Sequence, residues 1–398
     1  MKQRNTPSPN RRQTLLALIG TALLPACGGG DSDLAGLSSG GTGSFTNGAI
    51  VGLGSVIVNG IRYDDSTASV TIDGVTSTAA ALQLGMVVRI LGSGVTPAAS
   101  AGALATATAT QITCDSEWKG QAAQVKTGAS TFTLLGQTVK LLATTVFSGG
   151  GFDGTLAGRY VEVYGFINAN DGSLQASRVE VSTSAPDNYR LSGIVTNLTA
   201  TTFLLGSALI NHASASKPAN LQNGQFVRVK LQTAQQVGAW VAKEVRAGEY
   251  SDGLDDDDEA EIEGTITAFT SSNLFSVNGI AVDASRITSP NGLALGVRVE
   301  VEGAIRNGVV IATKVEIETE TEVESEKFEF HGTISALNTT TKTFVVRGYT
   351  VRYIDGAGPN ATVFDIGTAV WANGLYVEVK AVLDSSGQLL ATEIESDN

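Results

Sequence analysis

A pattern of glycines and branched residues returns five times along the chain, and it limits the folds available. Each copy opens on a glycine at 48, 120, 193, 264 or 332, in steps of 72, 73, 71 and 68 residues. A second glycine follows, with β-branched residues three and five positions on: Gly85/Val88/Ile90, Gly158/Val161/Val163, Gly224/Val227/Val229, Gly296/Val299/Val301 and Gly374/Val377/Val379. Between the two branched residues stands a charge each time, Arg89, Glu162, Arg228, Glu300 or Glu378. Apolar residues two apart with a charge between them mark a half-buried strand, apolar side inward and charged side outward. Each copy ends on an alanine three residues before a branched residue, as in Ala312/Val315. A step near 70 is too long for a solenoid repeat of ~20–50 residues. It suits a very small domain, so the chain reads as tandem domains rather than one continuous coil.

Within a copy the signals are those of strands. The fourth holds Phe275-Ser276-Val277, then Asn278-Gly279, then Ile280-Ala281-Val282, and the first holds Asn59-Gly60 between Val56-Ile57-Val58 and Ile61-Arg62-Tyr63. Asn-Gly between apolar runs is a strong hairpin signal. Helix-period runs are scarce and the 46 glycines are many, so the class is all-β. Three strands, a turn-rich connection with short apolar pieces such as Ala81-Leu82, then two strands is the order of an OB-like five-stranded barrel, with an SH3-like barrel as the alternative. The barrels are expected at 47–115, 116–186, 187–248, 261–319 and 328–398, with acidic linkers at 249–260 and 320–327. Cores this small are marginal alone, so stacking of neighbouring repeats would help.

The amino terminus carries an address. Arg11-Arg12 precede an apolar run from Leu15 to Leu24, followed by Pro25-Ala26-Cys27-Gly28. A basic stretch, a short apolar stretch and a small residue describe an export signal over 1–26; a membrane span needs ~20 apolar residues. Cysteine directly after the small residue resembles the lipobox of bacterial lipoproteins. That resemblance implies a lipid on Cys27 and a membrane attachment through it. Gly28, where an aspartate would signal retention, resembles the pattern sorted to the outer membrane of a Gram-negative host. Arg11-Arg12-Gln13-Thr14-Leu15-Leu16 resembles a twin-arginine signal, and the general secretory route stays open beside it. Residues 27–46 are mostly Gly, Ser, Asp and Thr and read as a flexible tether.

Charge and composition exclude several chemistries. The formal charge is −13, and loss of Lys2, Arg4, Arg11 and Arg12 with the signal takes it to −17. Nucleic acid is therefore not an expected partner: single-strand binders need basic grooves with stacking aromatics. With Cys27 acylated, Cys114 has no disulfide partner and reads as a small buried hydrophobe. Ser148 to Gly154 is glycine-rich, but no helix or lysine follows, so it is a loop and no phosphate cradle. Asn168 to Gly172 lacks the closing glutamate of a calcium loop and reads as a hairpin turn. His212 and His331 stand in different repeats, which leaves a metal site with several His or Cys ligands without support. The acidic run with Asp252, Asp255, Asp256, Asp257 and Asp258 is expected to be a mobile joint, with weak calcium binding as its second reading.

The landmark pattern also resembles uncharacterised bacterial exported lipoproteins built from tandem repeats of a domain of unknown function. That resemblance covers nearly all of the mature chain and implies localisation and fold. It carries no active-site residue and no cofactor. The function expected is a non-enzymatic envelope module that binds or scaffolds, with an envelope protein or a glycan as partner. The alternative is an envelope hydrolase whose site lies between repeats and gathers residues such as His212, Asp187 and Asp153.

Overall fold

The computed structural model describes residues 43–100, 103–248, 256, 258–318 and 327–396. It is all-β, built of small five-stranded barrels joined into two sheets. The fourth repeat shows the plan. Its opening strand Glu259–Ser271 pairs with Leu274–Val277, which turns back through Asn278-Gly279 onto Ile280–Asp283. The chain then crosses to Arg298–Arg306, which pairs with both the opening strand and the closing strand Val309–Ile317. The third strand lies parallel to the closing strand and shuts the barrel. The same order of pairings recurs from Trp118 to Ser182, from Tyr189 to Ala247 and from Phe328 to Ser396. From Gly43 to Cys114 it recurs with an inserted hairpin at Ser69–Ile72 and Val75–Ser77.

Each recurring residue has a physical task. The branched residues after the second glycine are all buried, so the inward assignment holds. The second glycine has positive φ in every copy, 81° at Gly296, and its N–H donates to the carbonyl two residues past the opening glycine, at 2.8 Å for Gly296 on Ile266. Glycine alone takes that left-handed bend without strain, and the bend steers the fourth strand against the first. The opening glycine lies under the hairpin turn: a Cβ on Gly48, Gly264 or Gly332 would press on Asn59, Asn278 or Arg347. The alanine and the branched residue three places on both point inward although their spacing is odd. A bulge reconciles them. In the closing strands one residue, Thr110, Ser177, Lys243, Thr313 or Thr392, falls between the paired positions. The hydroxyls of Thr110, Thr313 and Thr392 each donate to a carbonyl of the facing strand.

Three expectations are corrected. The repeats are not separate beads: Ser44–Asn47 runs parallel to Glu259–Ile262, Gly52–Leu53 runs parallel to Glu329–Phe330, and Arg190 pairs with Lys119. The first repeat thus joins the fourth and the fifth, and the second joins the third. Next, the tether ends early. Residues 43–46 are already strand, and Phe45 is fully buried in the core of the fourth repeat beside Ile262, Phe275 and Val301. Finally, the acidic run gives way to strand at Glu259, and Asp258 is buried against Gly43. Burial of apolar surface drew the flanking residues in.

Candidate functional site at the junctions between repeats

The alternation fixes which side chains face a barrel's own core, but it does not say what lies outside. At Glu162 and Arg228 the outside is another barrel. None of the five landmark charges is exposed. Each stands across the sheet from the residue before an opening glycine: Asn47 with Arg89, Lys119 with Glu162, Ser192 with Arg228, Glu263 with Glu300 and His331 with Glu378.

These positions build ionic junctions. Between the second and third repeats, Glu117 is buried with Arg228 and accepts a hydrogen bond from Ser192. Arg190 of the third repeat reaches Asp73, at the tip of the inserted hairpin of the first, and Glu162 of the second lies 3.6 Å away. Burial works most strongly on the Asp73 carboxylate, to raise its pKa, but Arg190 and the hydrogen bonds from Glu162 and the Ser116 amide together outweigh it and hold the pKa below the ordinary value. Burial and the Asp73 charge push Glu162 up, against Lys119 at 2.6 Å. In the fourth repeat Arg298 pairs with Glu263 and with Glu318 at 2.8 Å, and stacks 5.0 Å from the ring centre of Phe166 in the second. Glu261 is half-buried and shares a hydrogen bond with Glu300; burial first, then Glu300 and Glu302, raise its pKa to about 9.

The first and fifth repeats meet at Glu329, His331 and Glu378, whose donor atoms lie within 4.8 Å of one another. His331 Nε2 is 2.8 Å from Glu329 and 3.7 Å from Glu378. Arg62 already caps Glu329, and Lys380 stands 3.5 Å from Glu378. Protein cations neutralise these carboxylates, so the group works as an ionic latch between barrels. The sequence hid it because Arg62 and Glu329 are 267 positions apart.

Among the described residues, cavities open at the junctions. One, of ≈ 270 Å³, lies among the second, third and fourth repeats, lined by Phe166, Ile194, Phe226, Thr267 and Asn278 with Glu117 in its wall. Another, of ≈ 520 Å³, lies among the first, second and fifth.

The residues singled out from sequence fall elsewhere. His212 is buried, stacked on Phe203, with Lys217 Nζ 3.0 Å from Nδ1 and the Thr199 carbonyl 3.3 Å from Nε2. Burial, then Lys217, lower its pKa. Asp153 caps the turn at Thr155, and the Asp187 carbonyl accepts from Lys243. These three are not brought together. Asp256 accepts a hydrogen bond from Asn307. Cys27, Asp252, Asp255, Asp257 and residues 319–326 lie outside the described residues. Cys114 is buried, and burial pushes its thiol well up.

Residues 119–180, 263–316 and 331–395 match DUF5666, a domain of unknown function. Those three stretches are the second, fourth and fifth repeats. No curated protein and no solved structure matches the chain.

Proposed function

We propose that this protein is an exported, lipid-anchored, non-enzymatic module of the cell envelope that binds or scaffolds through five OB-like barrels held as one array. The closed order, with the third strand parallel to the closing strand, supports the OB-like reading over the SH3-like one. The observation that carries the function is the fate of the polar groups at the junctions. Glu117, Glu263, Asp73 and Glu329 are each matched by an arginine. Carboxylates engaged in this way fix the geometry of barrels, and they frame concave cavities suited to small ligands. Several barrels held together also present several surfaces to one partner, so that weak contacts add. Anchoring rests on Leu24 to Gly28, with Cys27 as the acylated residue and the outer membrane as destination.

The test is a cross-linking pull-down of the native protein from intact cells, with mass spectrometry of its amino terminus. Recovery of one specific envelope partner or glycan, and a lipid-modified Cys27, support the reading. Hydrolytic turnover that disappears in His212→Ala would replace it with the hydrolase.

A further inference from the structure

The larger cavity carries chemistry that the rest of this acidic chain lacks. It is lined by Arg347, Tyr349, Arg352 and Gln388 of the fifth repeat, Phe147 of the second and Gln83 of the first. None of the described residues lining it bears a carboxylate, in a chain of formal charge −13. Low-dielectric walls around two guanidinium groups concentrate a positive potential, which Asp384 on Arg352 and Asp65 near Arg347 offset in part.

Arg347 is the unusual residue. It occupies the hairpin-turn position, at φ 50°, that Asn59 and Asn278 hold in the first and fourth repeats. Asparagine tolerates this conformation better than arginine. The asparagines donate to the carbonyl before the opening glycine, Asn59 to Asn47 at 3.2 Å and Asn278 to Glu263 at 2.8 Å. Arg347 makes the equivalent bond from Nε to His331 at 2.6 Å. Asparagine would therefore suffice for the fold. The arginine adds a charge and two further nitrogens, Nη1 and Nη2, which make no hydrogen bond with a described residue. Leu135 takes the same left-handed turn position in the second repeat, at φ 51°, so the conformation by itself marks nothing; the nitrogens of Arg347 that make no hydrogen bond with a described residue are what point to a ligand.

Arg352 gives a second, independent sign. Its Nη2 bonds Asp384 at 3.1 Å, while its Nε is buried with no hydrogen-bond partner among the described residues. Tyr349 is fixed by Gln83 at 2.8 Å and by the Leu84 amide at 2.9 Å. Thr343, Thr350 and Gln388 supply further hydrogen-bonding groups. Two arginines, two aromatic rings and several hydroxyl or amide groups fit a polyol ring with one anionic substituent. A volume of ≈ 520 Å³ takes one or two such rings.

We propose that this cavity binds a sugar bearing an anionic group, with the anion on Arg347 and Arg352 and the ring near Tyr349 and Phe147. The proposal rests on the binding-module reading and names its ligand class. Isothermal titration of the full mature chain would use glucuronate, glucose 6-phosphate and glucose as probes. Glucuronate, glucose 6-phosphate or both should bind, and glucose, which lacks the charge-assisted hydrogen bonds, about tenfold more weakly or not at all. Which acid binds better tells a carboxylate from a phosphate ligand. Arg347→Asn, which restores the turn residue of two sister repeats, should weaken the acid about tenfold with an unchanged melting temperature. In the unmutated chain the NMR signals of Arg347 and Arg352 Nε–H should shift on adding the acid, a readout independent of the variant's folding. No binding of either acid, equal binding of glucose, or an unaffected Arg347→Asn would overturn the site and leave the envelope-module reading standing. Binding followed by turnover of the sugar would keep the site and remove the non-enzymatic reading.

Discussion

Asn278 lies across Gly264. Its amide donates to the Glu263 carbonyl at 2.8 Å and its oxygen accepts from the Thr265 amide at 3.2 Å, so the side chain brackets the glycine from both sides. A Cβ on Gly264 would fall on that amide. Gly264→Ala should therefore cost about 1–3 kcal/mol, the usual range for overpacking. Adding Asn278→Gly should recover part of the loss, because glycine accepts the positive φ and vacates the space. Chemical denaturation of the single and double variants measures both. An additive double variant would show that the two residues do not touch.

Phe45 ties the front of the chain to the fourth repeat. It is fully buried among Ile262, Phe275 and Val301. Phe45→Ala should cost about 3–5 kcal/mol. Proteolysis should then reach the fourth repeat first, ahead of the second and third. Cuts confined to the first repeat would argue that Phe45 serves its own barrel.

Val299 tests the inward face. It is fully buried at the heart of the fourth barrel. Val299→Asp places an unpaired charge there and should cost about 4 kcal/mol or more. Unchanged denaturation would contradict the assignment.

Glu261 should give the array a dependence on pH. Its pKa is raised from 4.5 to about 9 by burial and by Glu300, so the folded chain holds this proton more tightly than the unfolded chain. The resulting stabilisation is complete below about pH 4.5 and is lost as pH climbs towards about 9. Glu261→Gln keeps the hydrogen bond and removes the titration. It should flatten stability across that window and exceed the parent at pH 8 by ~1–3 kcal/mol. Parallel curves for parent and variant would place the proton elsewhere.

The landmarks of a single barrel were legible because each sits close in sequence to what it serves. Gly296 and Val299 set the turn and inward face of one strand, and Ala312 with Val315 carries a bulge in its spacing. An inward pair three residues apart requires an extra residue between them, so the spacing itself encodes the bulge. The contacts between barrels were not legible. Alternation around Glu300 or Arg228 gives inside and outside relative to one barrel, and cannot tell solvent from a neighbour. Phe45 looked like tether because its glycine- and serine-rich flank is polar, and most of the core it joins begins more than 200 positions later, at Ala260. Arg347 stands where Asn59 and Asn278 stand in sister repeats, and only the shared bond to the carbonyl before the opening glycine reveals the equivalence.

The parallel edges at Ser44–Asn47 and Gly52–Leu53 have a consequence for how the chain is born. A ribosome delivers the first repeat early, yet the strands that complete its edges belong to the fourth and fifth. Until Glu259–Ile262 and Glu329–Phe330 emerge, those edges and Phe45 have no native cover. The first repeat is thus the last to be finished. A nascent chain halted before the fifth repeat would expose a sticky edge, and a chaperone that shields strands would find its natural client there.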